Sequence, residues 1–355
     1  MANSRSFAEL RIHLLAGQAI PALPLALDDN RRLSERHQRA LARYYVDAGC
    51  GGLAVGVHST QFEIRDPQHG LFQPVLELAS HTLDESLAAN PRPFIKIAGA
   101  CGRTPQACAE TQLARELGYD AVLLSLAALN DQPEVAVLAH CRTVAQELPL
   151  IGFYLQPAVG GRVFSLDFWT QFAAIESVLA VKIAPFNRYQ TLEVIRGVIA
   201  AGRDDIALYT GNDDTIVTDL LTPFAFEHQG SPVTRQIVGG LLGHWGVWSQ
   251  AAVQLLEAIK TARTLEQLDR RWLQRAAAVT DMNAALFDSA HAFAGCIPGI
   301  LEVLRRQGLV PTINCLNPHE VLSPGQAEEL TRVTAAYPEL TDNDFVATNL
   351  DRWLS

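Results

Sequence analysis

Lysine is nearly missing from this chain. Of 28 basic residues among 355, only Lys96, Lys182 and Lys260 are lysines, so each one calls for its own explanation. No run of 18 uninterrupted apolar residues occurs, which excludes an apolar transmembrane helix. The six cysteines, at 50, 101, 108, 141, 296 and 315, form no Cys-x-x-Cys pair. A chain this long needs no disulfide staples, so they read as reduced thiols and the expected location is cytoplasmic. Positive charge is short as well. The net charge of −10 argues against a nucleic-acid partner, because phosphate binding needs a basic face. Neither His-x-His nor His-Glu-x-x-His appears among the ten histidines, so no metal site and no cofactor are expected.

What is present favours a folded enzyme. Nearly half the residues (48%) are hydrophobic, enough to offset the ordering entropy that keeps polar chains disordered. Arg5 and Arg11 precede an apolar stretch, Leu14–Leu27, that mimics a secretory signal. Gln18, Pro21 and Pro24 interrupt it and Glu9 sits in the would-be basic region, so a first buried strand is the better reading.

Short apolar runs alternate with longer amphipathic ones. Strands are expected at Ile20–Leu27, Gly52–Val57, Phe94–Ala98, Ala121–Leu126, Leu150–Tyr154, Leu179–Ile183 and Ile206–Thr210, with a weak eighth near Gln236–Val238. Between them lie helical patterns, one from Ser34 to Gly49 and one from Thr104–Pro105 to Gly118, each closed by glycine. Apolar runs without alternation mean strands buried on both faces, as in a parallel sheet. Eight of them predict an α/β fold, a (β/α)8 TIM barrel over residues 1–248. A doubly wound sheet is the rival, weakened because no Gly-x-Gly-x-x-Gly follows the first strand. Residues 249–355 read as a C-terminal helical segment with helices near 249–262, 265–284, 287–307 and 323–336. Leu220–Arg235, carrying Pro223, Gly230 and Pro232, reads as an insertion between strands seven and eight.

Three segments carry chemistry. In Leu179-Ala180-Val181-Lys182-Ile183-Ala184-Pro185 a lysine stands inside a buried strand. Removing its ammonium from water is costly, so the lysine must be paired or neutral. A pKa about 3 units below the ordinary value costs about 4 kcal/mol and supplies an amine nucleophile for a carbonyl substrate. Ala180 and Ala184 share its face and leave room for a ligand. A lysine snorkelling to the rim is the plainer alternative. Lys96, in Phe94-Ile95-Lys96-Ile97-Ala98, competes for the same role, whereas Lys260 reads as a solvated helix-end lysine. The second segment, Phe153-Tyr154-Leu155-Gln156-Pro157, ends a strand in a tyrosine that can relay protons or simply pack. The third, Tyr209-Thr210-Gly211-Asn212-Asp213-Asp214, is a turn that either approaches a ligand or caps the next helix.

Together these segments resemble the dihydrodipicolinate synthase / N-acetylneuraminate lyase family of Schiff-base lyases and aldolases. That family has a Tyr-x-x-Pro motif after strand five and a Schiff-base lysine 28 residues later. Tyr154, Pro157 and Lys182 have this spacing, and Gly211-Asn212-Asp213 is similar to the family's strand-seven turn. The resemblance covers roughly residues 15–310. It implies a barrel, Lys182 as imine former, Tyr154 as acid/base, and a homo-oligomer, dimer or tetramer. It also implies a small carbonyl compound as partner, with neither nucleic acid nor membrane.

The departures from the family are informative. The carboxylate-binding Gly-(Thr/Ser)-(Thr/x)-Gly-Glu stretch is Gly56-Val57-His58-Ser59-Thr60 here. The proton-relay tyrosine after strand four falls where Ala127-Ala128-Leu129 stand, and the carboxylate-binding arginine is Val159, with Arg162 three residues on. The synthase reaction itself is therefore not expected. Substrate contacts are expected from His58, Ser59, Thr60, Gly211, Asn212 and His244. The expected activity is a Schiff-base lyase or aldolase acting on a small 2-oxo acid or related carbonyl compound. The alternatives are a non-catalytic ligand-binding barrel and an imine-dependent hydratase or dehydratase.

Overall fold

The apolar runs form strands in the computed structural model of the chain, which describes residues 6–355. They are β1 (Ala19–Pro21), β2 (Gly52–Val55), β3 (Ile95–Ala100), β4 (Ala121–Leu124), β5 (Leu150–Leu155), β6 (Val178–Ala184), β7 (Ala207–Thr210), β8 (Pro223–His228) and β9 (Ser231–Leu242). The residues fall into two units, one of 6–18, Ile95–Asn212 and Thr218–Leu241, the other of Ala19–Phe94, Asp213–Val217 and Leu242–Ser355.

In the first unit β3, β4, β5, β6, β7 and β9 pair in that order, all parallel. The order follows the chain without reversal. A doubly wound sheet would change direction at a switch point, and none occurs here. Glycine and small residues let helices press on the outer face. A Cβ at Gly152 would lie 2.6 Å from Phe172, on the helix Leu166–Ala173. The expected insertion is a hairpin: β8 pairs antiparallel with the first half of β9. Gln229 and Gly230 both take positive φ at its tip, the geometry of a tight two-residue turn. A helix at Phe7–Leu15, unforeseen in the sequence, starts with a Ser6/Glu9 capping box. Its Leu14 carbonyl accepts a hydrogen bond from Tyr209 at 2.8 Å.

In the second unit β1 and β2 lie side by side, through Leu23 N–H to the Ala54 carbonyl and Gly51 N–H to that of Ala19. β1 is shorter than expected because Pro21 and Pro24 offer no N–H to extend it. This unit also holds the helices Ser249–Ala262, Arg271–Leu286, Cys296–Arg306, Gln326–Ala336 and Asn343–Leu354. The third starts later than its apolar pattern suggests, because Asp288, Ala292 and Phe293 adopt positive φ and cannot continue a helix. The last, also unforeseen, is anchored by Trp353 Nε1 donating to Asp47 at 2.6 Å and by Arg43 donating to the Trp353 carbonyl at 2.7 Å.

Candidate functional site

In the first unit, register decides which side chains accompany Lys182. Lys182 on β6 pairs with Phe153 on β5 and Tyr209 on β7, so these three share a face of the sheet. The lysine is half-buried, and its Nζ stands 4.5 Å from the centroid of the Phe153 ring. Ala180 and Ala184 flank it on the same strand. Gly211 donates its N–H to the Ile183 carbonyl at 2.7 Å. A Cβ on Gly211 would lie 2.7 Å from Lys182 Cε and 2.8 Å from Ala184 Cβ. Gly211 therefore seats the lysine stem, a role beyond the substrate contact expected of it.

Tyr154 does not join this group. It pairs with Ile183, one position on, and successive residues of a strand point to opposite faces. Its ring packs 5.0 Å from Trp169 and 6.2 Å from Phe164, and its buried hydroxyl has no hydrogen-bond partner. Burial pushes the phenol up to about 12, and the acidic groups that reach it, Glu193 and Glu134, belong to helices. The expected pairing of Tyr154 with Lys182 is thus corrected. In the lysine's row stands Phe153, which has no proton to give.

Asn212 is likewise committed elsewhere. Its Oδ1 accepts from Phe186 N–H at 2.9 Å, and its Nδ2 donates to Asp219 at 3.0 Å and to Thr191 at 3.3 Å. Asp219, with a fully buried side chain, also accepts from Thr210 Oγ1 at 2.7 Å and pairs with Arg188 at 2.8 Å. This network ties the exit of β6 to the exit of β7, so Asn212 holds the turn instead of reaching for substrate. Phe186, just past β6, is held at φ 52° by it.

The other two lysines and Arg162 stand elsewhere. Lys96 lies at the start of β3, where its N–H bonds Asp120 at 2.8 Å and its Nζ is 3.5 Å from a Cβ built on Gly118. That is the opposite strand end from the one that carries barrel active sites, and Lys96 drops out as nucleophile. Lys260 lies near the end of its helix, as expected, but pairs there with Glu257 at 2.7 Å. Arg162 donates to the Gln132 carbonyl at 2.6 Å and stacks on Phe164 at 5.0 Å, so it does not stand in for a carboxylate-binding arginine.

In the second unit, His58 is exposed, whereas Ser59 and Thr60 are buried. The Thr60 hydroxyl donates to the Leu23 carbonyl at 2.7 Å and accepts from Gly56 N–H at 3.0 Å. It fastens the loop to the segment just past β1 and has little left for a ligand. His244 is buried against Trp248, 5.7 Å between centroids, and its Nδ1 lies 2.7 Å from Asn283 Oδ1. Burial holds the imidazole down at about 4. Asn283 gives no sign in the sequence. It is one polar residue of a helix, and only packing brings it to a histidine 39 positions away.

A model of the dihydrodipicolinate synthetase family matches residues 16–223. A 4-hydroxy-tetrahydrodipicolinate synthase of Desulforudis audaxviator is 27% identical over 206 residues, 58% of this chain and 66% of the relative. One from Synechocystis is 32% identical over 121 residues, covering 33% and 38%. The chain thus spans less than two thirds of the length of these curated relatives. Among solved structures, dihydrodipicolinate synthase from Aquifex aeolicus superposes with a TM-score of 0.71 at 19% identity, over 92% of this chain and 99% of that one. N-acetylneuraminate lyase from Fusobacterium nucleatum, complexed with pyruvate, gives 0.71 at 17%, over 92% and 99%. The likeness to solved structures shows the fold, a (β/α)8 barrel with C-terminal helices.

Proposed function

Because the chain belongs to the dihydrodipicolinate synthetase family, we propose that it is a Schiff-base-forming lyase or aldolase in which Lys182 is the nucleophile. The observation that carries this reading is the seat of Lys182: a strand lysine among Ala180, Ala184 and Gly211, its Nζ on the Phe153 ring. The neutral amine attacks a carbonyl carbon, water leaves, and the protonated imine draws electrons from the adjacent bond. The Phe153 face stabilises the cationic imine, a contribution of about 0.5–2 kcal/mol for such contacts. Phe153 moves no proton, so proton transfer falls to another group or to water.

The substrate is a small 2-oxo acid or related carbonyl compound, and not that of the synthase reaction. Val159 and the engaged Arg162 leave no arginine where the family resemblance implies one. A second reading, a non-catalytic ligand-binding barrel, is favoured by one observation: beside the lysine on β5 stands phenylalanine, and the Tyr209 hydroxyl on β7 is committed to the Leu14 carbonyl. Incubation with pyruvate, other keto acids and aldehydes, followed by borohydride and intact mass, separates the two. A covalent increment mapped to Lys182 supports the enzyme; its absence with every carbonyl tried supports the binding protein.

A further inference from the structure

One buried carboxylate in the first unit gathers the exits of two strands. Asp219 has a fully buried side chain. Its Oδ2 accepts from Thr210 Oγ1 at 2.7 Å and from Asn212 Nδ2 at 3.0 Å, and these two residues stand on either side of Gly211. The Thr210 hydroxyl in turn accepts from the Asn212 main-chain N–H at 3.1 Å, which closes a ring of bonds around the glycine. Asp219 Oδ1 pairs with Arg188 at 2.8 Å. Arg188 leads the helix Arg188–Ala200 just past β6 and lies over the Phe224 ring of β8 at 5.6 Å. The exits of β6 and β7 and the β8 hairpin thus meet at one ion pair.

Stability alone does not call for a carboxylate here, because apolar residues in place of a buried ion pair are often neutral or stabilising. What the carboxylate adds is fixed geometry: both oxygens are committed to donors through strong, charge-assisted bonds. The group so held is Gly211, against which the Lys182 stem rests. That stem is a flexible four-carbon chain, and a shift of its seat moves the amine off the Phe153 face. We propose that Asp219 is the positioning residue for Lys182: it fixes Gly211 through Thr210 and Asn212, and Gly211 fixes the lysine stem. This rests on the reading of Lys182 as the nucleophile and adds what aims it. Asparagine at 219 cannot do the same. Its amide accepts on one side only, so its NH2 must face either Arg188 or the Thr210 and Asn212 donors.

The test reads the seat and the reaction separately, on full-length protein labelled with ¹³C-lysine. The chain has only three lysines, so the Lys182 Cε signal is identified by its loss in Lys182→Arg. In the native protein the Phe153 ring should shift the attached protons upfield, and Phe153→Leu should remove that shift. Asp219→Asn should move the signal toward that of a free lysine. It should also slow borohydride trapping by roughly 10-fold or more, while the carbonyl concentration for half-maximal trapping stays within about 2-fold of native. Thr210→Val should move signal and rate in the same direction. Thr210→Ser, which keeps the hydroxyl, should leave both native. A native Lys182 signal and native rate in folded Asp219→Asn, or in Thr210→Val should the first not fold, overturns the proposal. Equal losses in Thr210→Ser and Thr210→Val overturn it as well, since the bond to Asp219 would then be irrelevant. A signal that moves in Asp219→Asn while no borohydride adduct forms on native protein would sink the Schiff-base reading and leave the positioning of the amine standing.

Discussion

A Cβ at Gly211 would lie 2.7 Å from Cε of Lys182. Real Cβ atoms do not come that close, so any other residue at 211 displaces the lysine or bends the strand end. Gly211→Ala should cost about 1–3 kcal/mol by overpacking. It should also slow imine trapping at least 10-fold, since misplacing a reacting group by about 1 Å is worth up to about 100-fold. Thermal melts and borohydride trapping rates check both. Trapping at the native rate would show that the stem has slack.

Lys182→Ala should abolish the borohydride adduct while the far-ultraviolet circular dichroism spectrum stays native. Lys96→Ala should keep the adduct, because Lys96 sits at the other strand end with Asp120 and Gly118. Peptide mapping decides between them, and an adduct on Lys96 would overturn the assignment.

Tyr154→Phe should leave trapping within about 2-fold of native and hold or raise stability by up to about 1 kcal/mol. Its hydroxyl is buried without a partner, so deleting it removes an uncompensated desolvation penalty. A fall in rate of 100-fold or more, the usual worth of a positioned acid or base, would restore Tyr154 as the proton carrier.

His244 ties stability to pH. Its folded value of about 4 lies below that of an unfolded histidine, about 6.5, so between these the unfolded chain binds the extra proton. The contribution is complete above about pH 6.5 and is lost as pH falls toward 4. Between pH 7 and 5 the native protein should lose about 2 kcal/mol more than His244→Gln, which cannot titrate. Urea midpoints at the two pH values measure the difference; parallel losses would mean that His244 gains its proton in the folded state.

The sequence by itself determined the repeating strand–helix order, since burial of both strand faces writes itself as unbroken apolar runs, and it singled out Lys182, since a cation inside such a run has a cost that must be explained. Glycines at helix ends marked boundaries because positive φ is a local requirement. The 28-residue spacing of Tyr154 and Lys182 was legible too, but the face each presents was not. A side chain's face depends on strand register, and one step of register exchanges Phe153 for Tyr154 beside the lysine. Nor could spacing show that Asn212 and Thr60 spend their hydrogen bonds on Asp219 and Leu23, or that Asn283 meets His244. Two of those pairings join residues 37 and 39 positions apart, and even for the nearer one a polar side chain's freedom to meet a ligand is settled only after the folded backbone has taken what it needs.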